Sequence, residues 1–530
     1  MPPPTDPSQR LALAALAAGS SAVPAAQGVA LRSAVEGEPA PDTTAGGEAG
    51  SNGSSLDWTL CRSAGELATT MQRGWAVTGG VGPLPMLQAK ATFLESLQTT
   101  IFSLSLVVRA RRVTAALTLT QPRLRPEVAV PGNEADLEAF VRLHGDGYVT
   151  TARVGGECLG VYTFFAQSRQ QANEVARSFG AGLSIGGFGV SPQLMSRIKE
   201  ASRSNGVNVS FRSHVVGLSS HPPLTQETLL EFASGFGAIQ LDDPKVLSLE
   251  TNGYEQVLEL ADVYGGVAAN RRLLLGDGIQ EGLLRRRQRL LELRHQIDWV
   301  GGTYDTYGIA RPAELDQSLQ QLAGDLQTIR EVELRYREHP ASPLTMPDLP
   351  SLIVGSPQLN VSVIDGEPLG GNDGEAFTYA DRTTAVRSRT RLAAVGLRTG
   401  SRVDQIRLTY EHEGDALSGA APRQECHGGE GGAEAGVLQL GPGESIRRIE
   451  AETGTQVDRI FLSGAGQRIG GGGGAGIRRP DLVVPEDHVL LGFSGRIGGR
   501  GGRRELVALT PVFAVFGPLR WQPVVVGEDP

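Results

Sequence analysis

The stretch LAAVGLRTGSRVDQIRL at residues 392–408 recurs as IRRIEAETGTQVDRIFL at residues 446–462. A shift of 54 positions (446 − 392) superposes identical residues at Thr399 and Thr453, Gly400 and Gly454, Val403 and Val457, Asp404 and Asp458, Ile406 and Ile460, and Leu408 and Leu462. Each copy has an apolar strand, a glycine turn and a second strand with alternating Val, Ile and Leu, which is the pattern of a β-hairpin. In a weaker third copy at residues 501–509, Glu505 takes the place of the aspartate. The repeat predicts three antiparallel units around one axis.

Glycine is concentrated in the same half of the chain. Of the 530 residues 70 are glycine, and 32 of these lie in residues 360–530, which leaves 38 (70 − 32) in residues 1–359. Clusters lie between the hairpins, at residues 370–371, 428–432, 470–474 and 498–502. Glycine adopts positive φ without strain and lets another surface approach the backbone closely. The absence of a strict three-residue period excludes collagen, and the uneven distribution predicts two differently built halves.

Three features of the C-terminal half form a recognisable set. They are GGNDG at residues 370–374 followed by Phe377, the two repeat copies, and LGFSGR at residues 491–496. Over residues 356–520 this set resembles the jacalin-related lectins, which implies an all-β threefold β-prism that binds carbohydrate. In that family, backbone amides of the first Gly-Gly loop and of the last Gly-x-x-x-Asp loop hold a sugar. The aspartate accepts charge-assisted hydrogen bonds from two sugar hydroxyls.

Carried over by position, the resemblance implies a sugar site at Gly370, Gly371, Gly495, Arg496, Gly501, Gly502 and Glu505. Glu505 replaces the usual aspartate, and its longer loop carries Arg496, Arg500, Arg503 and Arg504. Because guanidinium groups bind carboxylates, sulfates and phosphates, this departure favours an acidic sugar or a sulfate or phosphate group. Some family members use an equivalent site in an earlier repeat, which implies second sugar sites at Asp404 and Asp458. The alternative for each acid is a turn residue that accepts from nearby backbone amides.

The N-terminal half contains strand patterns that a pair of glycines interrupts. Polar and apolar residues alternate through residues 101–120, which predicts a half-buried strand. Residues 134–142 predict a short helix, and HGDGYVTTARVGGECLGVYTFF at residues 144–165 follows at once. Gly155 and Gly156 have strand-forming sequence on both sides, which predicts a β-bulge or a sharp bend at this pair.

This order of helix, HGDGY at residues 144–148, strand, Gly155-Gly156 and strand resembles the signature of the membrane attack complex/perforin superfamily. The resemblance covers residues 58–270 and implies an α+β domain with a bent antiparallel sheet. In that superfamily, helical clusters refold into amphipathic hairpins that line a pore, and the glycine pair is the hinge of the bend. Helical patterns at residues 167–178 and 192–204 and a strand pattern at residues 207–218 follow in matching order. A bulge in a soluble mixed sheet is the alternative.

The other segments complete a multidomain organisation. The apolar run at residues 11–18 lacks the positive flank of a secretory signal, so we expect a flexible or transit-like tail there. Apolar residues from Leu315 to Ile329 advance by four and three positions, which predicts a packed helix. The predicted domains are a disordered low-complexity tail (1–55), a perforin-like domain (56–275), a helical hairpin connector (276–338), a Pro-rich linker (339–355) and a β-prism lectin domain (356–522).

Composition and motifs exclude several functions. The chain has 49 basic and 58 acidic residues, a net charge of −9, which argues against non-specific nucleic-acid binding. Its three cysteines, Cys61, Cys158 and Cys426, cannot form a disulfide framework or a Cys-rich zinc site. No P-loop, H-E-x-x-H or G-x-S-x-G motif is present, so we expect no enzyme, no metal and no cofactor.

These observations and resemblances lead to one functional hypothesis and one alternative. We expect a carbohydrate-binding protein whose lectin domain targets a perforin-like, pore-forming domain to glycan-bearing membranes. Its expected partners are glycans or glycolipids, a membrane surface and further copies of the chain, since an oligomer multiplies weak lectin contacts. The resemblance favours a secreted or membrane-associated protein. The alternative is a non-lytic lectin or adhesion scaffold.

Overall fold

The computed structural model describes most of the chain in two compact units. The described residues are 6–21, 31–41, 53–62, 67, 70, 80–81, 93, 103–166, 169–180, 192–204, 207–276, 280–382, 385–386, 389–411, 422–498 and 504–522. The first unit comprises Met1–Ala166, Gln170–Glu292 and Leu322–Pro350, and the second comprises Gln167–Arg169, Leu293–Gln321 and Ser351–Pro530.

The first unit combines one antiparallel sheet with helices. Its described strands are β1 (Gly19–Ser21), β2 (Val35–Pro41), β3 (Ser54–Cys61), β4 (Gly80–Val81), β5 (Leu104–Leu124), β6 (Gly147–Phe165), β7 (Asn208–Val216) and β8 (Lys245–Gly253). Its described helices are α1 (Pro7–Leu16), α2 (Glu134–His144), α3 (Arg169–Gly180), α4 (Pro192–Ser204), α5 (Leu229–Gly235) and α6 (Gly265–Leu275). The paired long strands β5 and β6 form the centre, flanked at one end by β3 and β7 and at the other by β2 and β8. The helices predicted at residues 134–142, 167–178 and 192–204 are confirmed, with small shifts at their ends.

Gly155 and Gly156 lie where β6 stops pairing with β8 and starts pairing with β7. The β6 strand pairs with β8 up to Gly155 and with β7 from Glu157 onward. On the other side, Val113 pairs with Gly155 and Ala115 with Val154, so β5 has one extra residue, Thr114, at this point. The predicted irregularity is therefore present, but the extra residue belongs to the neighbouring strand. A β-carbon built at Gly155 would lie 1.9 Å from the Arg112 carbonyl oxygen, which explains why glycine is needed.

We expect Gly155→Ala to lower the free energy of unfolding of the first unit by about 1–3 kcal/mol, since the new methyl group must displace the β5 backbone. Thermal unfolding of the full chain measures the effect. Gly235→Ala is the matched control, because a β-carbon built there would meet no atom within 4 Å other than its chain neighbours and its own helix backbone, and its φ is −82°. Equal melting temperatures for Gly155→Ala and wild type would show that the strands tolerate a side chain at this position.

The N-terminal segment differs from the disordered tail that we predicted. Helix α1 begins after Asp6, whose side chain accepts a hydrogen bond from the Ser8 amide. Its Ala12 and Leu16 are buried in one core cluster with Ala115, Val149, Ala152, Val154 and Leu249. Strand β2 pairs with β5 from Val35 to Pro41. The apolar run is therefore one face of a packed helix, and residues 6–21 and 31–41 belong to the sheet domain.

Helices α3 and α4 lie between β6 and β7 along the chain and pack on the main core of the first unit. Their apolar residues Val175, Ala176, Phe179, Leu194, Ile198 and Ala201 are buried with residues of β5 and β6. Their polar residues give both helices an amphipathic pattern. This packing accounts for the helical periodicity of the two segments.

Two longer helices, α7 (Leu283–Tyr307) and α8 (Ala313–Glu338), occupy the segment predicted as a helical hairpin. Leu315, Leu322, Ile329 and Tyr336 are buried at a spacing of seven residues along α8. A short helix, α9 (Pro350–Val354), follows within the predicted linker. The division between the two compact units falls inside α7 and α8, so the predicted connector is not a separate domain.

The β-rich part of the second unit consists of three sheets and one short strand pair. Sheet A contains β10 (Val361–Asp365), β11 (Leu369–Gly370), β12 (Glu375–Phe377), β22 (His488–Gly498) and β23 (Glu505–Phe516). Sheet B contains β13 (Arg391–Thr399), β14 (Val403–Glu411), β15 (Arg423–Gly428) and β16 (Ala433–Gln439). Sheet C contains β17 (Ile446–Thr453), β18 (Val457–Gly464), β19 (Gln467–Gly471), β20 (Ile477–Arg478) and β21 (Leu482–Val483). The short pair is β9 (Ser356–Gln358) with β24 (Arg520–Gln522).

The three sheets meet in cyclic order. A β-carbon at Gly371 of sheet A would lie 2.3 Å from the carbonyl oxygen of Thr455, in the hairpin turn of sheet C. A β-carbon at Gly429 of sheet B would lie 2.3 Å from the carbonyl oxygen of Arg504, which precedes β23 of sheet A. Gly473 of sheet C in turn faces the Gly400 carbonyl of sheet B. This arrangement agrees with the three units around one axis that the repeat predicts.

Candidate carbohydrate-binding sites

Each sheet contains one copy of an equivalent hairpin, formed by β13 and β14 in sheet B, β17 and β18 in sheet C, and β22 and β23 in sheet A. The three copies have the same irregularities. The pairing shifts register twice in every hairpin, once near its start and once beside its turn. The shifts lie at Leu392/Ala394 and Arg398/Thr399 in sheet B, Ile446/Arg448 and Glu452/Thr453 in sheet C, and Leu490/Gly492 and Arg496/Ile497 in sheet A. These shared bulges align the repeats by structure, independently of residue identity.

The register places Asp404 and Asp458 at the same bulge. Asp404 is the bulge residue of its hairpin, between Val403, which pairs with Thr399, and Gln405, which pairs with Arg398. Asp458 lies likewise between Val457 and Arg459. Both aspartates are buried, with 9% and 8% of their surface exposed. The two copies are thus equivalent in structure as well as in sequence.

The same alignment corrects the position of Glu505. In sheet A, Ile497 pairs with Leu506 and Arg496 with Ala508, so the bulge residue is Val507. Glu505 pairs with Gly498 and corresponds to Arg402 and Gln456, two positions earlier. The turn of the sheet A hairpin is longer than the other two. Counting four residues on from Gly501 therefore leads to Glu505 instead of the bulge residue Val507. The third bulge therefore carries an apolar side chain, which cannot accept a hydrogen bond.

Glycine loops confirm this equivalence independently. Gly428, Gly472 and Gly370 all have positive φ, between 113° and 126°. A β-carbon at these glycines would lie 2.1, 2.2 and 2.1 Å from the carbonyl oxygens of Asp404, Asp458 and Val507, respectively. Each bulge residue thus has a glycine against its backbone, as the close approach requires.

Bare backbone surrounds the carboxylates of Asp404 and Asp458. A β-carbon at Gly431 would lie 2.3 Å from Asp404 Oδ1, and one at Gly432 would lie 2.5 Å from its Oδ2. The corresponding distances from Gly474 and Gly476 to the two oxygens of Asp458 are 2.3 and 2.6 Å. Each site therefore combines a carboxylate acceptor with glycine backbone that carries no side chain of its own. Such a set suits the vicinal hydroxyls of a sugar.

Arginines hold the glycine loops in place. Arg398 donates to the carbonyl oxygens of Glu430, Gly431 and Gly432 at 3.1–3.2 Å. Arg459 donates to the carbonyl oxygen of Gly472 at 2.9 Å. Because each bond fixes a loop beside a carboxylate, these arginines preorganise both sites.

The predicted ligands in sheet A have structural partners instead. Arg496 donates to the Gly374 carbonyl oxygen at 3.1 Å, so it supports the first glycine loop. The Gly371 amide donates to the Val507 carbonyl at 2.9 Å, while Gly370 pairs with Ala508 in the sheet. Gly495 is buried and pairs with Leu509 within the hairpin, so it is not presented to a ligand. The predicted contacts at Gly501 and Gly502 lie outside the described residues.

Glu505 forms an ion pair with Arg402. The Arg402 guanidinium lies 3.1 Å from Glu505 Oε2 and 3.8 Å from Asp458 Oδ1. Arg402 is 43% exposed, whereas both acids are mostly buried. The Arg402 guanidinium therefore connects the hairpin of sheet B with Asp458 of sheet C and Glu505 of sheet A.

A family comparison covers this part of the chain. Residues 366–500 match the jacalin-like lectin domain. The matched range contains Asp404 and Asp458 with both of their glycine loops and ends before Val507. No curated protein matches the chain. The jacalin-like lectin domain does not include the first unit, so the perforin-like identity of that unit stays a prediction.

The chain is also similar to solved lectin structures over part of its length. Wild-type Malaysian banana lectin is 19% identical with a TM-score of 0.23, and the match covers 29% of this chain and 98% of that one. A mannose-binding jacalin-related lectin from Ananas comosus is 18% identical with a TM-score of 0.22, covering 28% and 96%. Artocarpin in complex with mannotriose is 18% identical with a TM-score of 0.23, covering 29% and 97%.

In the first unit, the HGDGY segment is held by a buried polar network. Asp146 is fully buried, 3.2 Å from Arg271 Nε, and it accepts a hydrogen bond from the Tyr336 hydroxyl at 2.8 Å. The hydroxyls of Tyr254 and Tyr264 donate to the carbonyl oxygens of His144 and Gly145, respectively, the two residues before Asp146. Burial lowers the pKa of His144, although its hydrogen bond to a backbone carbonyl opposes the shift. The network fixes the chain between α2 and β6, which is a structural role.

Neither a metal cluster nor a spanning helix occurs in the part of the chain that the structure describes. No three His, Cys, Asp or Glu side chains among these residues are placed to hold a metal ion. No described helix is both long and apolar enough to cross a membrane.

Proposed function

We propose that this protein binds glycans through Asp404 and Asp458 and that its first unit is a perforin-like domain delivered to glycan-bearing membranes. The observation that carries the lectin part is the pairing of a Gly-x-x-x-Asp hairpin with a glycine loop, present in both sheet B and sheet C. In each, the loop backbone lies against the carboxylate. The match of residues 366–500 to the jacalin-like lectin domain supports the same function.

In this proposal Glu505 is not the sugar-binding acid. The resemblance attributes hydroxyl binding to the aspartate of the Gly-x-x-x-Asp turn, and Val507 occupies that position in sheet A. Asp404 and Asp458 therefore provide two sites on one chain. Two weak sites that engage one glycan-bearing surface increase the apparent affinity, and a homo-oligomer of the chain would increase it further.

The order of elements supports the perforin-like part. Strands β3, β5, β6 and β7 lie side by side in the sheet, and the Gly155-Gly156 pair lies where β6 changes its neighbour. Helices α3 and α4 connect β6 to β7, as a helical cluster does in the superfamily that the sequence resembles. In our proposal these amphipathic helices leave the core and extend the strands into a membrane.

The packing of α3 and α4 also favours a second candidate, a non-lytic lectin or adhesion scaffold. Phe179 and Ile198 are 2% and 3% exposed in the core, so releasing the helices would cost their burial. In this alternative the helices stabilise the sheet, and the first unit only displays the lectin domain. In both candidates the protein is not an enzyme and uses no cofactor.

Binding and leakage measured on the same vesicles separate the two candidates. A glycan array first identifies a ligand, and liposomes carrying that ligand as a glycolipid are then loaded with dye. We expect wild-type protein to bind and release dye, and the Asp404→Asn/Asp458→Asn variant to do neither. Binding without release supports the scaffold, and equal binding to liposomes without glycolipid contradicts both.

A further inference from the structure

The two proposed sugar sites have the same hairpin and glycine-loop backbone, but the residues on the strand beside each site differ. Thr399 pairs with Ala433 in sheet B, and the equivalent Thr453 pairs with Ile477 in sheet C. One position further along, Arg398 pairs with Glu434, whereas Glu452 pairs with Arg478. The strand that closes each site is therefore acidic in sheet B and basic in sheet C.

The loops that carry these strands continue the contrast. Residues 428–434 of sheet B read GGEGGAE and contain Glu430 and Glu434 as their charged residues. Residues 470–479 of sheet C read GGGGGAGIRR and contain Arg478 and Arg479. The formal loop charges are thus −2 and +2, because no opposite charge is present in either loop.

Arg479 and Arg402 bring positive charge to the Asp458 site. Arg479 Nε donates to Thr453 Oγ1 at 2.8 Å, at the start of the Gly-x-x-x-Asp turn. Within the described residues no carboxylate pairs with Arg479. Arg402 lies 3.8 Å from Asp458 Oδ1 and pairs with Glu505 Oε2 at 3.1 Å, and 43% of its side chain is exposed.

The Asp404 site has the opposite surroundings. Arg398 and Arg407 both pair with Glu434, each at 3.2 Å. Arg398 also donates to three carbonyl oxygens of the glycine loop, so its guanidinium is already engaged. Glu430 is exposed in the same loop. Arg504, whose backbone lies against Gly429 of this loop, pairs with Glu375 at 3.5 Å. Among the described residues, an anionic ligand at Asp404 would therefore meet acidic loop residues and guanidinium groups that already pair with carboxylates.

We propose that the Asp458 site takes an anionic sugar, with its hydroxyls on Asp458 and its sulfate or carboxylate on Arg479 and Arg402, while the Asp404 site takes a neutral sugar. This inference rests on the proposed glycan-binding function. A guanidinium forms charge-assisted hydrogen bonds with either anion, and the two anions share this chemistry. Ile477, 77% exposed beside the site, offers an apolar surface to the sugar ring.

Calorimetric titration of the full chain tests the assignment. The probes are methyl α-mannoside and methyl α-galactoside, their 6-sulfates and their uronic acids, which separates sulfate from carboxylate. We expect Asp404→Asn to lose the neutral sugar and keep the anionic one, and Asp458→Asn to do the reverse. Arg402→Gln/Arg479→Gln should weaken anionic binding about tenfold, with a smaller salt dependence, and leave neutral binding unchanged.

Arg468→Gln is the matched control, because Arg468 is an exposed arginine of sheet C that pairs with Glu450. It removes one positive charge of the same kind, where the double variant removes two, and it should leave both affinities unchanged. The inference is overturned if neutral sugars fill both sites alike, or if the double arginine variant binds anionic sugars as tightly as the control does. If wild type binds no sugar at all, the proposed function fails instead.

Discussion

Replacing Asp404 and Asp458 together by asparagine is expected to abolish glycan binding. A carboxylate that accepts two sugar hydroxyls contributes two charge-assisted hydrogen bonds of about 1.5–3 kcal/mol each. Their loss at one site corresponds to an affinity decrease of about 100-fold or more. Asparagine has the same shape, so it fits among Gly431, Gly432, Gly474 and Gly476 without displacing them. Calorimetry or surface plasmon resonance with the glycan that the array identifies measures the loss.

Glu505→Gln distinguishes this assignment from the one that the sequence suggested. Glu505 pairs with Arg402 and stands two residues before the bulge, so we expect its amide variant to bind glycan with nearly unchanged affinity. Each single aspartate variant should lose the sugar bound at its own site, and with it the gain from two-site attachment to a surface that carries both sugars, and should keep the sugar bound at the other site. Normal binding by the double aspartate variant, or loss of binding in Glu505→Gln, would return the site to sheet A.

The error at Glu505 shows where sequence comparison reaches its limit in this fold. Thr399, Gly400 and Asp404 recur at one fixed spacing, so the first two hairpins and their acids could be predicted directly. The turn of the third hairpin joins Gly498 to Glu505, which is longer than the turn between Thr399 and Val403. A count of residues from the turn glycine therefore gives the wrong position. The register of the bulge and the contact of Gly370 with the backbone identify Val507 as the equivalent residue.

The N-terminal segment shows a different limit. Residues 1–55 are rich in Ala, Gly, Pro and Ser, and that composition is typical of disorder. Ala12 and Leu16 nevertheless become core residues because Ala115 and Val149, about a hundred or more positions later in the chain, form the surface that they cover. Local composition contains no information about such a partner. The irregularity at Gly155-Gly156 was predictable because a glycine pair within strand-forming sequence is a local pattern, although the carbonyl oxygen that it accommodates belongs to Arg112 on the neighbouring strand.

Asp146 has the largest expected effect on stability. It lies in the HGDGY segment between helix α2 and strand β6. The structure buries it completely, with Arg271 only 12% exposed on one side and the Tyr336 hydroxyl on the other. Its carboxylate therefore joins β6, α6 and α8 within the first unit.

We expect Asp146→Ala to lower the free energy of unfolding of the first unit by about 3–5 kcal/mol, because it leaves a buried guanidinium without its counter-charge. Hydrogen–deuterium exchange of β6 peptides in the full chain localises the effect to this unit. Asp243→Ala is the matched control, since Asp243 forms an exposed pair with Lys245 that contributes at most about 1 kcal/mol. Asp146→Asn still accepts from Tyr336 and should fall between the two. If Asp146→Ala protects β6 as well as the control does, the aspartate is not the element that holds the HGDGY segment against α6 and α8, and its burial would then need a reason other than stability.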